Sequence, residues 1–118
     1  MVEIILKGNP QSTQHIYKMT CKGKFATMYM SKEGKDLKES YQWQIKSQYK
    51  GKPKTGDLDL RVELFFGDDR KRDIDNYNKI LLDSMSGLVY QDDSQIQSLL
   101  IIKNKDKKNP RIEIIIND

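Results

Sequence analysis

The 118-residue chain contains one cysteine, Cys21, and one histidine, His15. A lone cysteine excludes an intrachain disulfide, and one Cys with one His cannot supply the four ligands of a structural zinc site. Cys21 therefore reads as inert. His15 sits in a polar stretch with no acidic partner nearby, and reads as a surface or phosphate-contacting side chain rather than a general base. No apolar run approaches the roughly 20 residues of a membrane span, and the amino terminus, MVEIILKGNP, lacks the features of a secretory signal. These absences predict a soluble, cytoplasmic protein with no membrane partner. Internal repeats and low-complexity segments are also missing, and the length suits one packed core, so residues 1–118 are expected to form a single domain.

Charge is plentiful. Lys and Arg number 21 against 17 Asp and Glu, for a net charge of +4 and a pI near 9.1. That balance is compatible with a polyanionic partner without requiring one.

Val2, Ile4 and Leu6 recur with the period of two that marks a half-buried strand. Phe25 to Met30 is rich in β-formers and predicts a second strand. Ser31 can cap a helix running to about Lys50, with an apolar stripe at Leu37, Tyr41, Ile45 and Tyr49 and a stop at Gly51 and Pro53. Trp43 falls off that stripe, at the helix edge. Leu58, Leu60, Val62, Leu64 and Phe66 form the cleanest alternation, as in an antiparallel sheet. A second helix is expected from about Asp73 to Ser86, with Gly87 in the left-handed position that ends it and Leu88 behind. Strands at Ile96 to Lys103 and Arg111 to Ile116 flank the turn-like Asp106 to Pro110 and read as a hairpin. The order ββαβαββ predicts an α+β fold, two helices on a mainly antiparallel sheet. The polar loops at residues 8–24 and 51–57 are the expected places of mobility.

At 100° per residue the second helix places Ile74, Tyr77, Leu81, Met85 and Leu88 on one stripe. Asp75, Lys79 and Asp83 fall on another face with Asn76 beside them, and Asp73 stands at the helix start. A purely structural account is available: Asp73 as N-cap, Asp75 at the positive end of the helix dipole, and Asp75 to Lys79 as an i to i+4 pair. A calcium loop is excluded, because counting from Asp73 puts Tyr77, Asn78 and Ser84 where oxygen ligands, Gly and Glu are needed.

A second acidic pair, Asp92-Asp93, follows the helix, so two acidic clusters bracket one element. For that pair alone a solvated turn is the competing account. Mg²⁺ or Mn²⁺ takes hard oxygen ligands, and three or four acids can hold such an ion at a phosphodiester. Arg70, Lys71 and Arg72 would then attract and orient the polyanion, while Lys79 meets charge developing on the phosphate.

The combination Asp73-Ile-Asp75-Asn76, Lys79 four residues after the second acid, Asp83, and a Gly-containing link into Asp92-Asp93 resembles the RusA family of Holliday junction resolvases. These are small endodeoxyribonucleases of bacteria and their phages. The resemblance implies that Asp73, Asp75 and Asp93 are metal-binding carboxylates, with Asp92 an additional ligand, and that Lys79 is the catalytic lysine. It gives Asn76 an orienting role toward DNA and Asp83 a supporting one. It also implies a homodimer making paired, symmetrical nicks across a four-way DNA junction. The family's proline-rich amino-terminal segment is represented only by Asn9-Pro10-Gln11. Two rival readings are a branched-DNA-binding module without chemistry, which would bind without a divalent ion, and a metal-dependent nuclease for flaps or forks.

Overall fold

The computed structural model describes residues 1–12, 17–23 and 25–118; His15 lies outside them, as does the side chain of Cys21. Three strands come first: β1 (Val2–Lys7), β2 (Tyr17–Lys22) and β3 (Phe25–Met30). Helix α1 (Lys32–Gln48), strand β4 (Leu58–Phe66), helix α2 (Asn78–Met85) and strands β5 (Ile96–Lys105) and β6 (Arg111–Asn117) follow. The fold is α+β, with two helices and a mainly antiparallel sheet, as the sequence predicts. Strand β2 falls within the segment 8–24 that the sequence marks as a polar loop. Its sequence, YKMTCK, does alternate apolar Tyr17, Met19 and Cys21 with polar Lys18, Thr20 and Lys22, a period-two signal the loop reading passes over, and it pairs with β3 from Tyr17 opposite Met30 to Lys22 opposite Phe25.

The main sheet has the order β1-β6-β4-β5, and β2-β3 is a separate two-stranded ribbon. β6 pairs antiparallel with both β1 and β4, whereas β5 runs parallel to β4. The expected β5-β6 hairpin is therefore incorrect, since β4 lies between the two. The turn itself forms, with Asp106 Oδ1 accepting from the amides of Lys108 and Asn109. A reversal of direction does not specify adjacency, however, and the link passes over the end of β4, where Asp106 N donates to Phe66 O at 2.9 Å. Skipping one strand means covering about 10 Å, well within the reach of five residues.

The alternating residues of β4 are buried from Leu58 to Phe66, together with Ile4, Leu6, Ile112, Ile114 and Ile116 of the neighbouring strands. Helix α1 starts where Ser31 Oγ accepts from Gly34 N and buries Tyr41 and Ile45 against this layer. Its C-cap is Tyr49 in extended conformation, two residues before Gly51. Gln48 and Gln44 bond the backbone of Ile5 and Lys7, which satisfies the outer edge of β1 that would otherwise be an open template for pairing. Trp43 is 70% exposed.

The second helix is not continuous. Ile74–Asn76 forms a single 3-10 turn, Tyr77 (φ −120°, ψ −18°) interrupts it, and α2 begins at Asn78. The 100° spacing therefore does not carry across the break. Tyr77, Leu81 and Met85 are buried with Ile80, but Ile74 is 39% exposed instead of lying on the stripe. Tyr77 packs edge-on against Phe66, ring centroids 5.3 Å apart, which ties the break to the end of β4. Gly87 takes φ +83° just beyond the helix, as its position predicts.

Candidate active site

β4, α2 and β5 form a parallel crossover, and the acids stand at its two links. Asp73 and Asp75 lie in the link leaving β4, and Asp92 and Asp93 in the link entering β5. In a parallel unit those links sit at opposite ends of the strands. Lys103 Nζ donates to Arg72 O at 2.7 Å, so the first cluster lies level with Lys103. Asp93 precedes Ile96, and the strand from Ile96 to Lys103 spans on the order of 20 Å. Among the described residues no three His, Cys, Asp or Glu side chains stand together as a metal-holding group. The expectation that three or four acids converge is thus not met within one chain.

The acids differ in what already engages them. Asp73 is exposed and makes no side-chain capping bond to the 3-10 turn that follows it. Asp75 is exposed and, among the described residues, forms no ion pair; the expected pair with Lys79 does not form, and Lys79 Nζ lies 3.7 Å from Asp83 Oδ2 instead. Asp93 is likewise exposed and without an ion pair among the described residues. Asp92, in contrast, is a working N-cap. Its Oδ2 accepts from Ser94 N, bonds from the Ser94 side chain and then its backbone hold the Asp92 carboxyl below the usual range, and Gln95 completes a reciprocal capping box. The signal Asp92-x-x-Gln95 was in the sequence. Gln95 Oε1 accepts from the amides of Gln91 and Asp92, and Nε2 donates to Lys54 O and Gly56 O, pinning the link to the chain before β4.

A cleft of about 580 Å³ opens beside Asp73, lined by Arg70, Lys71, Arg72, Lys103 and Asn76. Lys103 had no local sequence signal, because it belongs to an alternating strand and reaches the cleft only through the β4-β5 pairing. Ser12 borders the cleft as well, and an adjoining hollow is lined by Asn9 and Pro10. Asn9 Oδ1 accepts from Gly67 N at 2.9 Å, so the segment after β1 is fastened at the exit of β4.

The cations also divide. Arg72 is only 12% exposed along its side chain; its guanidinium makes a two-pronged contact with Asp68 (2.7 and 2.9 Å) and lies 4.4 Å from the Phe66 ring centroid. The hydrogen bond from Arg72 pulls the Asp68 carboxyl down to about 2. Arg70 and Lys71 are exposed and form no ion pair among the described residues. Lys105 and Lys107 approach Asp69 on the far side of this loop.

Above α2, Tyr17 donates its hydroxyl to Asp83 Oδ2 at 2.5 Å, and Lys79 Nζ lies 4.8 Å from the Tyr17 ring centroid. Burial, then the bond to Asp83, raises the Tyr17 phenol well above its ordinary value. Nothing in the sequence linked these residues, which are 66 positions apart.

The donor chemistry fits a divalent ion of one kind. Mg²⁺ is commonly held by one or two carboxylates, with water and substrate phosphate completing the shell. Asp73, which lines the cationic cleft, and the exposed Asp75 two residues on suit that arrangement rather than an all-protein cage. No curated protein matches the chain. The family model described as Endodeoxyribonuclease RusA matches residues 7–117, from the end of β1 through β6, including every acid and cation of the site. With nearly the whole length matched, the chain belongs to the RusA endodeoxyribonuclease family, whose activity is the resolution of Holliday junctions.

Proposed function

We propose that this protein is a divalent-metal-dependent endonuclease, using Mg²⁺ or Mn²⁺, that resolves four-way DNA junctions by paired, symmetrical nicks. The carrying observation is that Asp73 and Asp75 stand exposed and, among the described residues, without an ion pair, Asp73 also without a capping bond, close in sequence to Arg70 and Lys71 in a family of DNA endonucleases. Among the described residues neither the cap at Asp73 nor the pair between Asp75 and Lys79 is made, which leaves the helix-dipole position of Asp75 as the remaining structural account and supports a role in the site for both acids.

In this reading Asp73 and Asp75 hold the ion, which when bound supplies charge stabilisation to the phosphodiester. Arg70, Lys71 and Lys103 draw the DNA backbone into the cleft, and Asn76 orients it. Arg72 contributes by anchoring the loop through Asp68 and Phe66. Lys79 places a positive charge where negative charge develops on the reacting phosphate, an effect that matters most in the transition state. Asp93 stands at the other end of the crossover, and Asp92, already a cap, is the weaker candidate of that pair. A two-fold homodimer supplies a geometry in which Asp93 of one copy serves the site of the other, and two equivalent sites give two equivalent incisions. The protein would act as one domain in the bacterial cytoplasm, on host or phage recombination intermediates.

The test is incubation with a labelled synthetic four-way junction in Mg²⁺, Mn²⁺ or EDTA, alongside Asp75→Asn. Symmetrical nicks that need the metal and vanish in the variant are expected. Binding without cleavage under every condition would refute the reading in favour of a binding module, and faster cutting of flaps or forks would reassign the substrate.

A further inference from the structure

Lys79 presents a physical difficulty for the role just given it. Its side chain is 55% exposed, and among the described residues the only ion pair holding it is the 3.7 Å approach to Asp83, one turn along α2. Exposed pairs of that kind are weak, and a flexible four-carbon stem is free to carry the ammonium elsewhere. Effective charge stabilisation requires a donor already in place.

The missing restraint comes from outside the helix. Tyr17 is the first residue of β2, on a ribbon that shares no ladder with the main sheet. It is partly buried against the core, and its hydroxyl donates to the same Oδ2 of Asp83 that faces Lys79. Its ring lies 4.8 Å from the Lys79 ammonium. Two independent contacts thus bear on one ammonium. The hydroxyl fixes the carboxylate that attracts it, and the ring face adds a cation–π attraction from a second direction. Asp83 has a 27% exposed side chain and cannot turn away without breaking its bond to Tyr17.

We propose that Tyr17 is the positioning residue for Lys79, acting through Asp83 and its own ring, so that the β2-β3 ribbon is a working part of the active site. The proposal rests on Lys79 being the catalytic lysine. It follows that the ribbon must be docked for the reaction to proceed at full rate.

The experiment compares Tyr17→Phe, which keeps the ring, Tyr17→Leu, which removes ring and hydroxyl, Lys79→Ala, and the double variant Tyr17→Phe/Lys79→Ala. Single-turnover cleavage of a four-way junction is measured together with junction Kd and thermal melting. Tyr17→Phe should cleave about tenfold more slowly, the size of one lost hydrogen bond to a charged group, with Kd changed by less than about twofold. Tyr17→Leu should be slower still. The double variant should be no slower than Lys79→Ala, because Tyr17 acts only through Lys79. Independent multiplication of the two defects would overturn the proposal.

A second readout needs no cleavage. In the DNA-free protein, acylation of individual lysines by a water-soluble amine reagent is followed by peptide mass spectrometry. Lys79 should react about threefold faster or more in Tyr17→Leu as its restraints are lost, while Lys71 and Lys103 keep their rates. Unchanged reactivity at Lys79 would show that Tyr17 does not hold it. If instead Lys79→Ala cleaves like the parent, the catalytic reading of Lys79 fails, and the acylation rates still report whether Tyr17 restrains it.

Discussion

Alanine substitution of the four acids at the two links should separate them into two groups that share a residue type and differ in role. Asp73, Asp75 and Asp93 are exposed and without ion pairs among the described residues, and Asp73 lacks the capping bond. Surface changes away from caps and networks shift stability by no more than about 0.5 kcal/mol. For a domain of this length 1 kcal/mol corresponds to roughly 3–6 °C, so each of these three variants should melt within about 3 °C of the parent. Asp92→Ala removes an N-cap bonded to Ser94 N and strands half of the box formed with Gln95. Lost caps cost about 0.5–2 kcal/mol, typically about 1, so a melting point lower by roughly 3–6 °C is expected. Cleavage should sort the other way. Asp73, Asp75 and Asp93 variants should lose on the order of 100-fold or more in rate, the scale of a removed electrostatic contact in a transition state, whereas Asp92→Ala at a temperature where it is folded should lose far less. Differential scanning calorimetry and single-turnover cleavage on the same preparations decide the matter. An Asp75→Ala protein that melts several degrees low while cutting normally would refute the reasoning, since it would return Asp75 to a structural role.

If a homodimer shares Asp93 across its sites as proposed, mixing Asp75→Asn with Asp93→Asn under subunit exchange should restore a single nick in a four-way junction, because one of the two sites would then be intact; a mixture as inert as its components would place each site within one chain. Arg70→Ala and Lys71→Ala should each weaken junction binding and reduce the slope of log K against log salt by about 1, measured by fluorescence anisotropy over a salt series. The Asp68 carboxyl sits near 2 because of Arg72, below its unfolded value. Its contribution to stability is therefore fully present above the unfolded pKa near pH 4 and is lost as pH falls through about 2. Arg72→Met should flatten the melting curve's dependence on pH across that window, by an amount that shrinks in high salt because the Asp68 side chain is 41% exposed.

Much of this protein is determined locally. Period-two burial marks β1, β4 and β6, Ser31 caps α1, and Gly87 ends α2 with the left-handed backbone that its position requires. Each of these depends on neighbours within a few residues, which is the range over which periodicity and capping act. The spacing of Asp73, Asp75, Lys79 and Asp93 carries the family likeness, and the matching family spans those positions. Tertiary structure alone decided the rest. Insertion of β4 between β5 and β6 is a choice of partner, and no turn sequence encodes whether a neighbour is skipped. The break at Tyr77 follows from packing its ring on Phe66, and that break withdraws Asp75 from Lys79. Parallel pairing then sets Asp93 at the far end of the crossover. Folding also brings Tyr17 to Asp83 and Lys79 across more than sixty residues, a contact that exists only once the ribbon has docked.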